Sequence, residues 1–133
     1  MGTAVTDTYE PVFNHFNYEK EMDPNGLTAD TPGAKLDAGK TRAFMVLGAF
    51  SRALLAVSDV GTFGARKYSD RGWEKVEDGY NRYMDALVRH LLAMEASSVD
   101  NQSGLPVIAH MAWNALAALE LYLRAEEKKN GES

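Results

Sequence analysis

Between residues 105 and 123 almost every side chain is apolar or small, and His110 and Asn114 interrupt that stretch one helical turn apart. A helix that is apolar on nearly every side must be surrounded by other structure. The two polar residues share one face, and a buried polar group without a partner costs about 1–3 kcal/mol. The segment therefore predicts a central helix with a polar notch in an apolar wall. Such a notch can orient a water, a carboxylate or the edge of a nucleobase.

The rest of the pattern is helical as well. Phe44, Leu47, Phe50, Leu54, Leu55 and Val57 recur at helical spacing, predicting a helix over residues 41–68 with a kink near Gly61 and Gly64. Ser69-Asp70-Arg71-Gly72 reads as a turn. A second helix is predicted over residues 73–96, with Val76, Tyr80, Tyr83, Leu87, Leu91 and Met94 on its apolar arc. The third helix opens at Pro106, where a missing N–H costs nothing, and frays in Glu126-Glu127-Lys128-Lys129. Val and Ile are sparse and period-2 alternation is missing, so the fold class is all-α. Residues 1–42 are punctuated by Pro11, Pro24, Asn25-Gly26, Pro32-Gly33 and Gly39 and read as an irregular arm. Val12, Phe13, Phe16 and Tyr18 in that arm are available for packing, and no role is assigned to His15. Residues 43–130 form the helical domain. Helices of one chain cover about two sides of the central helix, so a homo-oligomer is expected to cover the rest.

With 133 residues the chain has room for one core. Its 14 Lys+Arg against 19 Asp+Glu give a net charge of −5, which argues against nonspecific binding to nucleic acid or an anionic membrane. The absence of cysteine excludes disulfides, thiolate metal sites and cysteine nucleophiles, and fits a reducing cytoplasm. No signal-peptide pattern opens the chain, and no apolar stretch suits a bilayer, so a soluble cytoplasmic protein is expected.

Glu74, Glu77, Asp78, Asn81, Asp85 and Arg89 fall on one arc of the second predicted helix, within about 60° of a common line. A solvated face is the bland reading. The functional one is a site for a hard divalent cation, since Mg²⁺ takes one or two carboxylates plus substrate phosphates. Asp85 carries most weight because it lies mid-helix. Around Gly33 and Gly39 stand Lys35, Lys40 and Arg42, either in a solvated loop or in a phosphate-facing one. The spacing is not that of a P-loop. His90 alone reads as a core histidine bonded to a backbone carbonyl. Trp73 and Trp113 are large enough to stack on a base, yet at helical spacing they equally suit a core or an interface. No Ser-His spacing suggests serine-based hydrolysis.

One ordered set of motifs is distinctive: Gly33-Ala34-Lys35-Leu36-Asp37-Ala38-Gly39-Lys40-Thr41-Arg42, Phe63-Gly64-Ala65-Arg66-Lys67-Tyr68, Gly72-Trp73, Tyr83-Met84-Asp85-Ala86-Leu87-Val88-Arg89-His90, Asp100, Ser103-Gly104-Leu105 and the segment from His110 to Asn114. Over residues 33–122 the chain resembles the phage and bacterial dATP/dGTP diphosphohydrolase domain, a MazZ-like group of the MazG/HisE all-α nucleoside-triphosphate pyrophosphatases. The resemblance implies a Mg²⁺- or Mn²⁺-dependent enzyme, often a dimer or tetramer, that cleaves a (deoxy)nucleoside triphosphate, (d)GTP or dATP, between the α- and β-phosphates. In phages that use 2-aminoadenine, such enzymes are thought to make dGMP from dGTP. On this view Asp85, Glu74, Glu77 and Asp78 would hold the metal, with Asp85 or Glu77 also placing the water. Lys35, Lys40, Arg42, Lys67 and Arg89 would neutralise the triphosphate, and His110 and Asn114 would bind the substrate. The superfamily's Glu-x-x-Glu is matched by Glu74-Lys75-Val76-Glu77, but its second acidic pair is replaced by Met111 and Asn114. That departure favours the rival reading, a nucleotide-binding or structural helical oligomer without catalysis.

Overall fold

The computed structural model describes residues 21–131, so the expectations for Val12, Phe13, His15, Phe16 and Tyr18 lie outside the described residues. Four α-helices follow one another: α1 (Ala43–Gly48), α2 (Ser51–Lys67), α3 (Gly79–Ala93) and α4 (Val107–Gly131). A 3₁₀ turn at Gly72–Lys75 precedes α3. The described residues contain no strand; a single antiparallel bridge joins Val99 and Pro106. No helix among them is long and apolar enough to cross a membrane.

Two compact units divide the chain, Met1–Val46 and Leu47–Ser133. In the first, Asp23 is buried and organises the loops. Its carboxylate accepts the backbone N–H groups of Asn25 (2.7 Å) and Lys35 (2.8 Å). The Lys35 bond is the main reason its pKa lies below the usual carboxylate value. Lys40 pairs with Glu21 at 2.9 Å, and Arg42 is exposed.

In the second unit α4 is the axis against which α2 and α3 both pack. Val107, Ala109, Ala117 and Ala118 of α4 are buried, with Val60 from α2. Small alanines let the helices approach closely, and two glycines do the same. A Cβ at Gly61 would lie 2.8 Å from the Trp113 indole nitrogen, and one at Gly79 would lie 2.6 Å from Leu121 Cδ1. Gly61 therefore sits within a continuous α2 instead of kinking it. The break in the first predicted helix falls earlier, between Gly48 and Ser51, where Phe50 leaves helical geometry with ψ 27°. The third predicted helix runs on to Gly131 without fraying at Glu126.

The largest difference from the sequence pattern concerns the second predicted helix. It does not start at Trp73. The 3₁₀ turn ends at Lys75, Val76 is extended, and Asp78 adopts left-handed geometry (φ 52°) before α3 begins at Gly79. A short acidic side chain tolerates that conformation by bonding locally, here to Asn81 Nδ2 at 2.9 Å.

Candidate functional site

A cavity of about 650 Å³ opens within the second unit, between α2, the inner side of α3, α4 and the turn after α2. Its volume suits a small-molecule ligand. Trp73, Tyr83 and Trp113 wall it, and the Trp113 ring meets both others edge to face, at 6.2 Å from Trp73 and 5.4 Å from Tyr83. Burial raises the Tyr83 pKa, which keeps its hydroxyl neutral.

The floor is polar. His110 and Asn114 are 7% and 5% exposed and both line the cavity, as the notch in the sequence predicts. Asn114 Nδ2 donates to the His110 carbonyl at 2.8 Å, which fixes the orientation of the amide. Its Oδ1 takes no hydrogen bond among the described residues. His90 also lines the cavity, but it is not bonded to a backbone carbonyl as expected. Its ring stacks on His110 at 4.8 Å with an interplanar angle of 20°.

His110 has a partner that spacing alone does not reveal. Residues 98–107 fold back on themselves, with Asp100 N–H donating to Leu105 O (2.9 Å) and Val107 N–H to Ser98 O (2.9 Å). Gly104, at φ 73°, makes the reversal possible. The loop brings Ser103 Oγ within 2.7 Å of His110 Nε2. No spacing in the sequence signals this Ser-His contact. Ser103 Oγ also accepts the Leu105 N–H at 3.1 Å and does not line the cavity, so the pair anchors the loop and presents no nucleophile.

Burial is the main cause of a lowered His110 pKa, assisted by His90 and opposed by the Asp100 charge. The ring is neutral in the fold near pH 7. As pH falls below about 6.5, the unfolded chain takes up this proton before the folded one does, so stability declines. We expect the melting temperature to drop between pH 7 and pH 5.5. A His110→Gln variant, unable to titrate, should show a flatter profile over that interval in a pH series of thermal melts.

The acidic stripe is not assembled as the helical pattern suggested. Glu74 lies on the 3₁₀ turn and is engaged with Arg71 and, at 2.7 Å, with Arg124. Those bonds, Arg124 first, hold its pKa low. Glu77 and Asp78 precede α3, and only Asn81, Asp85 and Arg89 lie on it. Asp85 and Arg89 are exposed, and at 100° per residue they are turned away from the cavity-lining face of Tyr83, Ala86 and His90. Among the described residues no three His, Asp or Glu side chains come together as a metal group. Among the described residues, the carboxylates predicted to hold a metal thus do not assemble into a group that would do so without substrate.

Of the substrate-binding candidates, Lys67, His110 and Asn114 line the cavity. Lys67 sits at its rim, where Nζ donates to Gln102 Oε1 at 2.9 Å. Lys35, Lys40 and Arg42 belong to the first unit. Asp100 and Gln102 line the cavity too, and no helical period points to them because they come from the loop.

An all-α unit with an aromatic cavity, a polar floor and a cation at the rim defines a small-molecule-binding helical fold suited to a flat, anionic ligand. The family model described as dATP/dGTP diphosphohydrolase, N-terminal, matches residues 30–131, and the chain belongs to that family. It is thus a hydrolase of the kind that acts on nucleoside triphosphates. No curated protein and no solved structure matches the chain.

Proposed function

We propose that this protein hydrolyses dATP or dGTP between the α- and β-phosphates, giving the deoxynucleoside monophosphate and pyrophosphate, with the purine nucleoside seated in the cavity. The cavity itself carries this reading: aromatic faces of Trp73 and Trp113 beside a buried polar floor suit a flat heterocycle with hydrogen-bonding edges. His110 and Asn114 orient the base, and Lys67 at the rim meets the phosphates. Mg²⁺ or Mn²⁺ belongs to the proposal as the ion that accompanies the triphosphate. Asp85 and Glu77 are among the carboxylates whose side chains make no hydrogen bond or ion pair among the described residues, which leaves them available to the reaction. The protein works as a homo-oligomer in this proposal, because α4 keeps an apolar stripe exposed.

Incubation with each deoxynucleoside triphosphate and Mn²⁺ or Mg²⁺, followed by separation of products, tests the reaction. Monophosphate with pyrophosphate is expected from the purine substrates. Orthophosphate with diphosphate, or no turnover with any nucleotide, would count against it. A folded Asp85→Ala variant with full activity would remove Asp85 from the reaction.

A further inference from the structure

We infer that Asp100 is the specificity-determining residue of the cavity, its carboxylate accepting the N–H donors of a purine that carries a 2-amino group beside N1–H. The inference rests on the nucleotide reading above and adds to it which edge of the base is read, and by what.

Asp100 is held unusually well for a loop residue. Its N–H donates to Leu105 O at 2.9 Å, and its carbonyl accepts the Gly104 N–H at 2.8 Å. Its Oδ1 accepts the N–H groups of Gln102 (2.9 Å) and Ser103 (2.8 Å). The remaining donor nearby, the Ser103 hydroxyl, lies 2.7 Å from His110 Nε2. That hydroxyl also bonds toward the Asp100 carboxylate, whose Oδ2 accepts no backbone N–H among the described residues. Burial raises the Asp100 pKa, but the bonds from Ser103 and Gln102 together with the His110 ring outweigh it, so the group is ionised.

An ionised carboxylate is an acceptor only. Asn114, which lines the same cavity, offers Oδ1 as a second acceptor, since the bond of one amide N–H to the His110 carbonyl fixes how the amide lies. Two fixed acceptors in an aromatic cavity call for a flat ligand rich in donors. The negative charge of Asp100 disfavours phosphates at this end, whereas Lys67 welcomes them at the rim. Guanine presents N1–H and the 2-amino group side by side, two donors directed at the carboxylate oxygen that holds no backbone N–H. Adenine presents its 6-amino group next to an acceptor nitrogen, and that nitrogen faces the carboxylate unpaired. A buried polar group left unpaired by the wrong substrate is a strong source of discrimination.

Calorimetric titration of the full chain with dGTP, dITP, dXTP and dATP tests this without reference to turnover. Hypoxanthine lacks the 2-amino group, and xanthine replaces it by a carbonyl. In the wild type, dGTP should bind roughly 10- to 100-fold tighter than dITP, and dXTP should be weaker still. Asp100→Asn keeps an amide oxygen for Gln102 and Ser103 while turning a donor toward the ligand. It should weaken dGTP by about the same factor and reverse the order of dGTP and dXTP. An unchanged dGTP-to-dXTP ratio in a variant of wild-type melting temperature would overturn the assignment and leave Asp100 a turn residue. Equal affinity of the wild type for dGTP and dITP overturns it as well, with no variant needed. If the wild type binds no triphosphate, the nucleotide reading itself fails, a result distinct from either of these.

Discussion

Trp113→Ala is expected to destabilise the protein by about 3 kcal/mol and to weaken nucleotide binding roughly 10- to 100-fold in whatever fraction remains folded. The indole is the point where the three helical elements around the cavity meet. It stands on α4, faces Gly61 of α2 so closely that no Cβ fits, and receives the rings of Trp73 and Tyr83 edge-on. Removing a large core aromatic costs about 3–5 kcal/mol, and the partial exposure of Trp113 places it at the low end. For a unit of this size each kcal/mol shifts the melting temperature by roughly 4–8 °C, so a fall of more than about 10 °C is expected. Trp113→Phe retains a ring against Tyr83 and should recover most of the stability. Thermal melts alongside calorimetry check both effects. A Trp113→Ala protein that melts within about 3 °C of the wild type would show that the indole does not hold the cavity together.

The same residue shows how far the sequence could be read. Residues 105–123 announce a central helix, and His110 with Asn114 announce a polar face on it, because both signals are local and periodic. The structure adds that Trp113 belongs to the same cavity, one residue before Asn114. Nothing periodic marks Asp100 or Gln102. Their place depends on a reversal of the chain at Gly104, a long-range fact written only in turn chemistry. The carboxylate stripe shows the opposite failure. Glu74, Glu77 and Asp78 align with Asp85 only if one helix carries them all. Asp78 can adopt left-handed geometry, and the close fit of Gly79 against Leu121 sets where α3 starts. Helical arithmetic extended across that break groups side chains that the backbone separates.

If the protein assembles as proposed, charging the exposed stripe of α4 is expected to leave it a monomer. On this helix Val107, His110, Asn114, Ala117 and Ala118 turn inward, while Ile108, Leu116 and Leu119 remain 65%, 49% and 48% exposed. Ile108, Ala112, Ala115 and Leu119 follow one another at steps of four, three and four residues, the spacing of a seam between two helices. The alanines at its centre allow close approach, and such a seam on one copy fits the same seam on another about a twofold axis. Fully burying an Ile or Leu side chain contributes about 1.5–3 kcal/mol, so three half-exposed residues on each of two copies contribute on the order of 5–9 kcal/mol to association. That lies within the roughly 4–15 kcal/mol that association costs in lost freedom, so exposed side chains beyond the seam, such as Leu92 at 71% on α3, must add to it. Ile108→Lys combined with Leu119→Lys removes two of the three large contacts and sets like charges against each other across the axis. Light scattering during gel filtration should then report a single chain where the wild type reports a multiple, and the variant's melting temperature should no longer rise with protein concentration. A wild type that is monomeric at tens of micromolar would remove the second copy from the proposal.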